Sequence, residues 1–174
     1  MKLFKKLAAA ALAAVLALSM VGCGAGGTGS ALDLKNEVLN TIEDEYYLSG
    51  KTATHTTDMD AEAAKLIEKA AKAGAAEDNN DTVQKLLQDN GTGKYIAIFA
   101  PYTQLRTEFM QYSYIQQMYE ALYAVTKGWD SHDKMIVKIG NPGISSTDSI
   151  EMGVATGTIK GKNYLVLLVK KAAA

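Results

Sequence analysis

Cysteine is nearly absent. The one copy, Cys23, rules out an intrachain disulfide, so any folded domain is held by its core alone. Long apolar runs are also scarce. Beyond Met20 none is long enough to cross a bilayer as a helix. Positive charge is not in excess. The formal net charge is -1, and Met1 to Gly22 carry Lys2, Lys5 and Lys6 with no acid, so the rest of the chain stands at about -4. A mildly acidic domain argues against nucleic acid as a partner. Histidine occurs only as His55 and His132, and tryptophan only as Trp129. The nucleophile elbow Gly-x-Ser-x-Gly is missing, and so is any close His-x-x-x-His pair. No internal repeat is present.

What the chain does have is concentrated at its start. Three lysines are followed by an uncharged Ala/Leu/Val run from Leu7 to Met20, then by Val21-Gly22-Cys23. Charge, apolar stretch, small residue and lone Cys fall in the order of an export signal. The segment resembles the lipobox of bacterial lipoproteins, which implies that residues 1–22 are removed and that Cys23 becomes the lipid-bearing N-terminus. The chain would then be anchored to the extracytoplasmic face of a membrane rather than embedded in it. Residues 23–30 contain Gly24-Ala25-Gly26-Gly27-Thr28-Gly29-Ser30, a composition too poor in side chains to pack and suited to a tether. Residues 31–171 are expected to form a single domain.

Within that domain Leu34, Val38, Ile42 and Tyr46 recur every fourth residue, which predicts a first helix over Ala31–Leu48 closed by Gly50. A Thr-rich loop is expected at Lys51–Thr57. Asp58 or Asp60 would then cap a helix over Ala61–Ala73, its face made by Ala64, Ile67, Ala70 and Ala71. A short helix near residues 82–89 follows, then a buried strand over Lys94–Ala100 that Pro101 ends. A long helix is expected over Thr103–Lys127. Leu105, Phe109, Tyr112, Ile115, Tyr119, Leu122 and Val125 form its stripe, widened by Met118 and Tyr123. Strands are predicted at Met135–Ile139, Ile150–Ile159 and Tyr164–Lys170, the last two joined by a loop at Lys160–Asn163. Helices come early and strands late. The fold class is therefore α+β, with three or four helices on a small, mainly antiparallel sheet.

Polar clusters are candidate sites. Gly91-Thr92-Gly93-Lys94 is not a phosphate loop, because Gln88 stands where a Gly is needed and Tyr95 where Ser or Thr is needed. The corner after the long helix packs Trp129, Ser131, His132 and Asp133 together in sequence. An aromatic face, a hydroxyl, an imidazole and a carboxylate there make it a candidate ligand-binding site. His55 and Asp58, with Asp130 and His132, are candidate ligands for zinc or a similar ion if the two corners meet. No cofactor is expected. The expected partners are the membrane, through Cys23, and an envelope or cell-wall ligand.

The second half also resembles the SCP-like or CAP superfamily of cysteine-rich secretory and pathogenesis-related proteins. There too a helix runs into a Trp-Ser-His motif, here Trp129-Asp130-Ser131-His132. A Gly-bearing strand follows (Ile150 to Ala155), then a hairpin and an apolar strand (Tyr164 to Val169). Leu39-Asn40 and Ala61–Ala73 resemble that family's first two helices. The resemblance implies an α-β-α sandwich. Of its cleft, only His132 carries over, as the second histidine; His55 lies too early to be the first. Lys94–Ala100 lacks the Glu-Asn-Ile signature. The implied cleft has lost its metal-binding set, so the resemblance implies the fold and little about activity. Binding without catalysis is expected because no convergent nucleophile, base and oxyanion donor can be named. The rival expectation is an envelope hydrolase using His55, His132 and nearby aspartates.

Overall fold

The computed structural model describes residues 31–74, 95–101, 115–123, 136–139 and 143–173. Cys23, the expected tether, the 82–89 segment, Gly91–Lys94, both outer parts of the expected long helix, residues 129–133, and Met135 and Asn141-Pro142 lie outside these residues.

The first helix, α1, covers Ala31–Leu48 as its periodicity requires. Leu34, Val38, Leu39, Ile42 and Tyr46 are buried along one side. Its last turn closes with the Lys51 N–H donating to the Tyr46 carbonyl (2.9 Å), and Gly50 takes the left-handed φ of +71° that this wrap demands. The expected loop then holds a short strand, β1 (Ala53–His55). Helix α2 spans Thr57–Ala73. It starts four residues earlier than the expected range, and its cap is Thr56 rather than Asp58 or Asp60. The Thr56 hydroxyl accepts from the Met59 N–H. Its buried face is Met59, Ala63, Leu66, Ile67 and Ala70, while Ala71 is exposed. Gly74 (φ +62°) ends it.

Strand β2 (Tyr95–Pro101) includes Pro101 as its last paired residue. Residues 115–123 are helical and are called α3. There Ile115, Met118, Ala121 and Leu122 are buried. Tyr123 is 42 % exposed: it does not widen the core stripe, and it fits the other expectation for this helix, which holds more tyrosines than one stripe can bury, that Tyr114 or Tyr123 is left exposed. Strands β3 (Ile136–Ile139), β4 (Ile150–Ile159) and β5 (Lys162–Lys171) complete the described elements. The β4–β5 connection is tighter than the expected four-residue loop. Only Lys160 and Gly161 lie outside the strands, with φ of +48° and +79°. Positive φ at both central residues is the primed turn that matches strand twist.

The sheet order is β1-β4-β5-β2-β3. All pairings are antiparallel except β1 with β4, which is parallel. Tyr95 pairs with Lys170 and Pro101 with Tyr164, so the strands predicted at Lys94–Ala100 and Tyr164–Lys170 are neighbours. Strand alternation sends side chains to two cores. Ile96, Ile98, Met152, Val154, Leu165, Leu167 and Val169 pack under α1 and α3. Ala97, Phe99, Ala155, Ile159, Tyr164, Val166 and Leu168 pack under α2. The architecture is α+β with helices on both faces of one sheet, three layers in all.

Candidate functional site

His55, Asp60 and Glu43 meet at the junction of β1 and α2. Parallel pairing of β1 to β4 stops at His55 opposite Met152, where the Thr56 N–H still donates to the Met152 carbonyl (3.1 Å). The next outward-facing amide of β4, Val154, has no strand beside it. Asp60, one turn into α2, takes its place: one carboxylate oxygen accepts from the Val154 N–H (2.7 Å). The other meets His55 Nε2 at 2.8 Å. Glu43 of α1 reaches the same point, its carboxylate accepting from the His55 backbone N–H at 3.4 Å.

This approach depends on Gly153. A Cβ there would stand 2.2 Å from the Met59 carbonyl carbon and 2.3 Å from the Asp60 nitrogen. The start of α2 therefore rests directly on the β4 backbone, and any side chain at residue 153 would lift it away.

The junction contains a carboxylate-held imidazole, about one-third exposed on both partners. Such a pair can orient a hydrogen-bond donor toward a polar ligand. A hydrolytic role needs a nucleophile aligned with it. The hydroxyl of Thr56, next to His55 in sequence, is committed to the helix cap. Among the described residues, no three His, Cys, Asp or Glu side chains gather as metal ligands. Of the four candidate ligands, His55 and Asp58 are described. His55 is bonded to Asp60, while Asp58 adds a weaker pull on Lys170, whose pKa is raised chiefly by its hydrogen bond with Glu151. Asp130 and His132 lie outside the described residues, as do Trp129, Ser131, Asp133 and Cys23.

A second feature lies at the end of α1. Tyr47 and Leu48 are 79 % and 78 % exposed, although the core beneath α1 is filled without them. The run Tyr46-Tyr47-Leu48 is the available signal, since three consecutive helical side chains span about 200° and cannot all share one buried face. Tyr46 is the buried one. Its ring carries the Lys51 ammonium 4.4 Å from the centroid, and that ammonium also donates to the Ser146 carbonyl (2.7 Å). Burial, ahead of the nearby Tyr119 and Asp148, pushes the Tyr46 phenol up to about 12. On α3, Tyr119 and Tyr123 lie with ring centres 6.4 Å apart. The α1–α3 layer thus passes from a buried tyrosine to exposed ones.

No helix among the described residues is long and apolar enough to cross a membrane. No family model, curated protein or solved structure matches the chain.

Proposed function

We propose that the chain is a bacterial lipoprotein, held at the extracytoplasmic face of a membrane by lipid on Cys23, whose one α+β domain binds an envelope ligand or partner without catalysing a reaction. The observation that carries the binding role is the exposure of Tyr47 and Leu48 beside a finished core. Aromatic and aliphatic side chains left in water at the end of a rigid helix are the residue types that anchor interfaces. The order of residues from Met1 to Cys23 supports the anchor. The Trp129–Asp133 corner remains the proposed small-ligand site by its chemistry.

The rival is a hydrolase of the envelope. It draws on the His55–Asp60 pair, which has the imidazole–carboxylate contact such an enzyme uses. One titration separates the two. Soluble cell-wall fragments are added to the purified domain while the emission of Trp129, the only tryptophan, is followed. The binding reading expects a saturable change with the fragments recovered intact. His132→Ala should weaken it if the corner is the site, and Tyr47→Ser with Leu48→Ser if the helix end is. Fragments recovered cleaved, with cleavage lost in His55→Ala, would establish the hydrolase instead.

A further inference from the structure

The charges of α1 and α2 are arranged differently. Helix α2 follows helix electrostatics. Asp58 and Asp60 stand in its first turn and Lys72 in its last, and its two later acids are paired, Glu62 with Lys65 (2.6 Å) and Glu68 with Lys72 (2.5 Å). Helix α1 does not. Glu43, Asp44 and Glu45 crowd its C-terminal end, where the dipole is negative, and its last turn holds no base. Among the described residues Glu37, Asp44 and Glu45 make no ion pair, and Glu43 accepts from the His55 backbone N–H.

These acids share a face with the exposed apolar pair. Asn36, Asn40, Asp44 and Tyr47 follow one another at helical spacing, as do Glu37, Asp44 and Leu48, and all six are exposed. The face runs about 17 Å from Glu37 to Leu48. It carries no base. The nearby cations are turned elsewhere. Lys35 lies two turns before buried Ile42, toward the core side. Lys51 rests on the Tyr46 ring and the Ser146 carbonyl. Lys171 is held by Asp148, and the His55 imidazole by Asp60. On α3, in the same layer, the described charge is an acid, Glu120.

We propose that this face of α1 docks a basic peptide segment of a partner protein, its lysine or arginine heads meeting Glu37 and Asp44 and an apolar side chain covering Tyr47 and Leu48. The inference rests on the binding role read from Tyr47 and Leu48 above. Lysine and arginine suit both parts of the face, because their stems lie on apolar surface while their heads reach a carboxylate. A second copy of this chain does not suit it, since two such faces set together bring acid against acid. An acidic face without internal compensation also speeds encounter with a basic partner, an effect that salt screens.

The test uses the full protein purified from a bacterial host in neutral detergent, with detergent alone as the blank. The probe is a fluorescein-labelled peptide of lysine, leucine and alanine, and its control has glutamate in place of lysine. Anisotropy should show saturable binding of the lysine peptide, weakened by added salt, and none of the glutamate peptide. Glu37→Gln with Asp44→Asn should weaken binding about fivefold, the worth of two exposed ion pairs. Tyr47→Ser with Leu48→Ser should weaken it about tenfold. Glu62→Gln with Glu68→Gln, which removes two acids from α2, should leave it unchanged. No binding of the lysine peptide overturns the inference. So does equal binding of both peptides, or an α2 pair that costs as much as the α1 pair; if Tyr47→Ser with Leu48→Ser still weakens binding there, the apolar site stands without its basic partner. Binding unchanged by Tyr47→Ser with Leu48→Ser overturns both the inference and the role read from those residues.

Discussion

Asp60 joins three elements through one carboxylate. It ends the edge of β4 at Val154, holds His55 at the end of β1, and belongs to the first turn of α2. Asp60→Ala leaves the Val154 N–H without its acceptor, and a loss of about 1–3 kcal/mol is expected in denaturant unfolding. Asp60→Asn keeps an acceptor oxygen and should recover part of that loss. Tyr46 gives a prediction of opposite origin, since its phenol is costly to ionise where it lies. The folded group titrates near 12 and an unfolded tyrosine near about 10, so stability falls as pH rises across that interval. The loss should approach about 2–3 kcal/mol by pH 12, and Tyr46→Phe should remove this alkaline component from the unfolding curves. Asp148 works at the other limit. The Lys171 ammonium, then the Ser145 amide and hydroxyl, hold its carboxyl down to about 2. Its contribution is present above about pH 4, the range of an unfolded aspartate, and is lost as pH falls toward 2. Asp148→Asn should flatten the acid limb of stability between those values.

The elements differ in how openly their residues announce them. Helix α1 follows from apolar spacing, and β2, β4 and β5 follow from apolar runs bounded by Gly and Pro, because burial in this fold is decided along single segments. Strand β1 could not be read that way. It is three residues long and mostly exposed, and its partner Ile150 lies far along the chain, so nothing local distinguishes Ala53–His55 from a loop. The cap of α2 was misplaced for a related reason. Asp58 and Asp60 are good capping residues, but Asp60 is needed on Val154, and Thr56 is the residue left at the turn with extended backbone (φ -136°, ψ 143°). Of the candidate site, His55 was named from sequence, whereas its contacts with Asp60 and Glu43 depend on packing that no spacing reveals. The packing of α2 on β4 gives a paired test. Gly153→Ala would push Cβ into the Met59 backbone, which cannot yield without moving the helix, and a loss on the order of 2–3 kcal/mol is expected. At Gly157 the nearest atom is the Ile67 side-chain end at 2.9 Å, which can rotate, so Gly157→Ala should cost clearly less. Equal losses would mean that α2 does not bear on Gly153.

At the scale of the whole molecule, helices on both faces of one sheet give two cores without a disulfide. The proposed role joins an anchor, proposed at Cys23, to exposed apolar residues at the end of α1. All of this depends on Cys23. The most direct measurement is therefore the mass of the N-terminal peptide from protein expressed in a bacterial host, taken with membrane fractionation of wild type and Cys23→Ala. The account predicts that wild type begins at Cys23, carries acyl mass on it and pellets with membranes, while Cys23→Ala carries none and leaves the membrane fraction. A wild-type N-terminus upstream of Cys23 without acyl mass, or a Cys23→Ala protein that still takes up fatty acid and pellets, would contradict it.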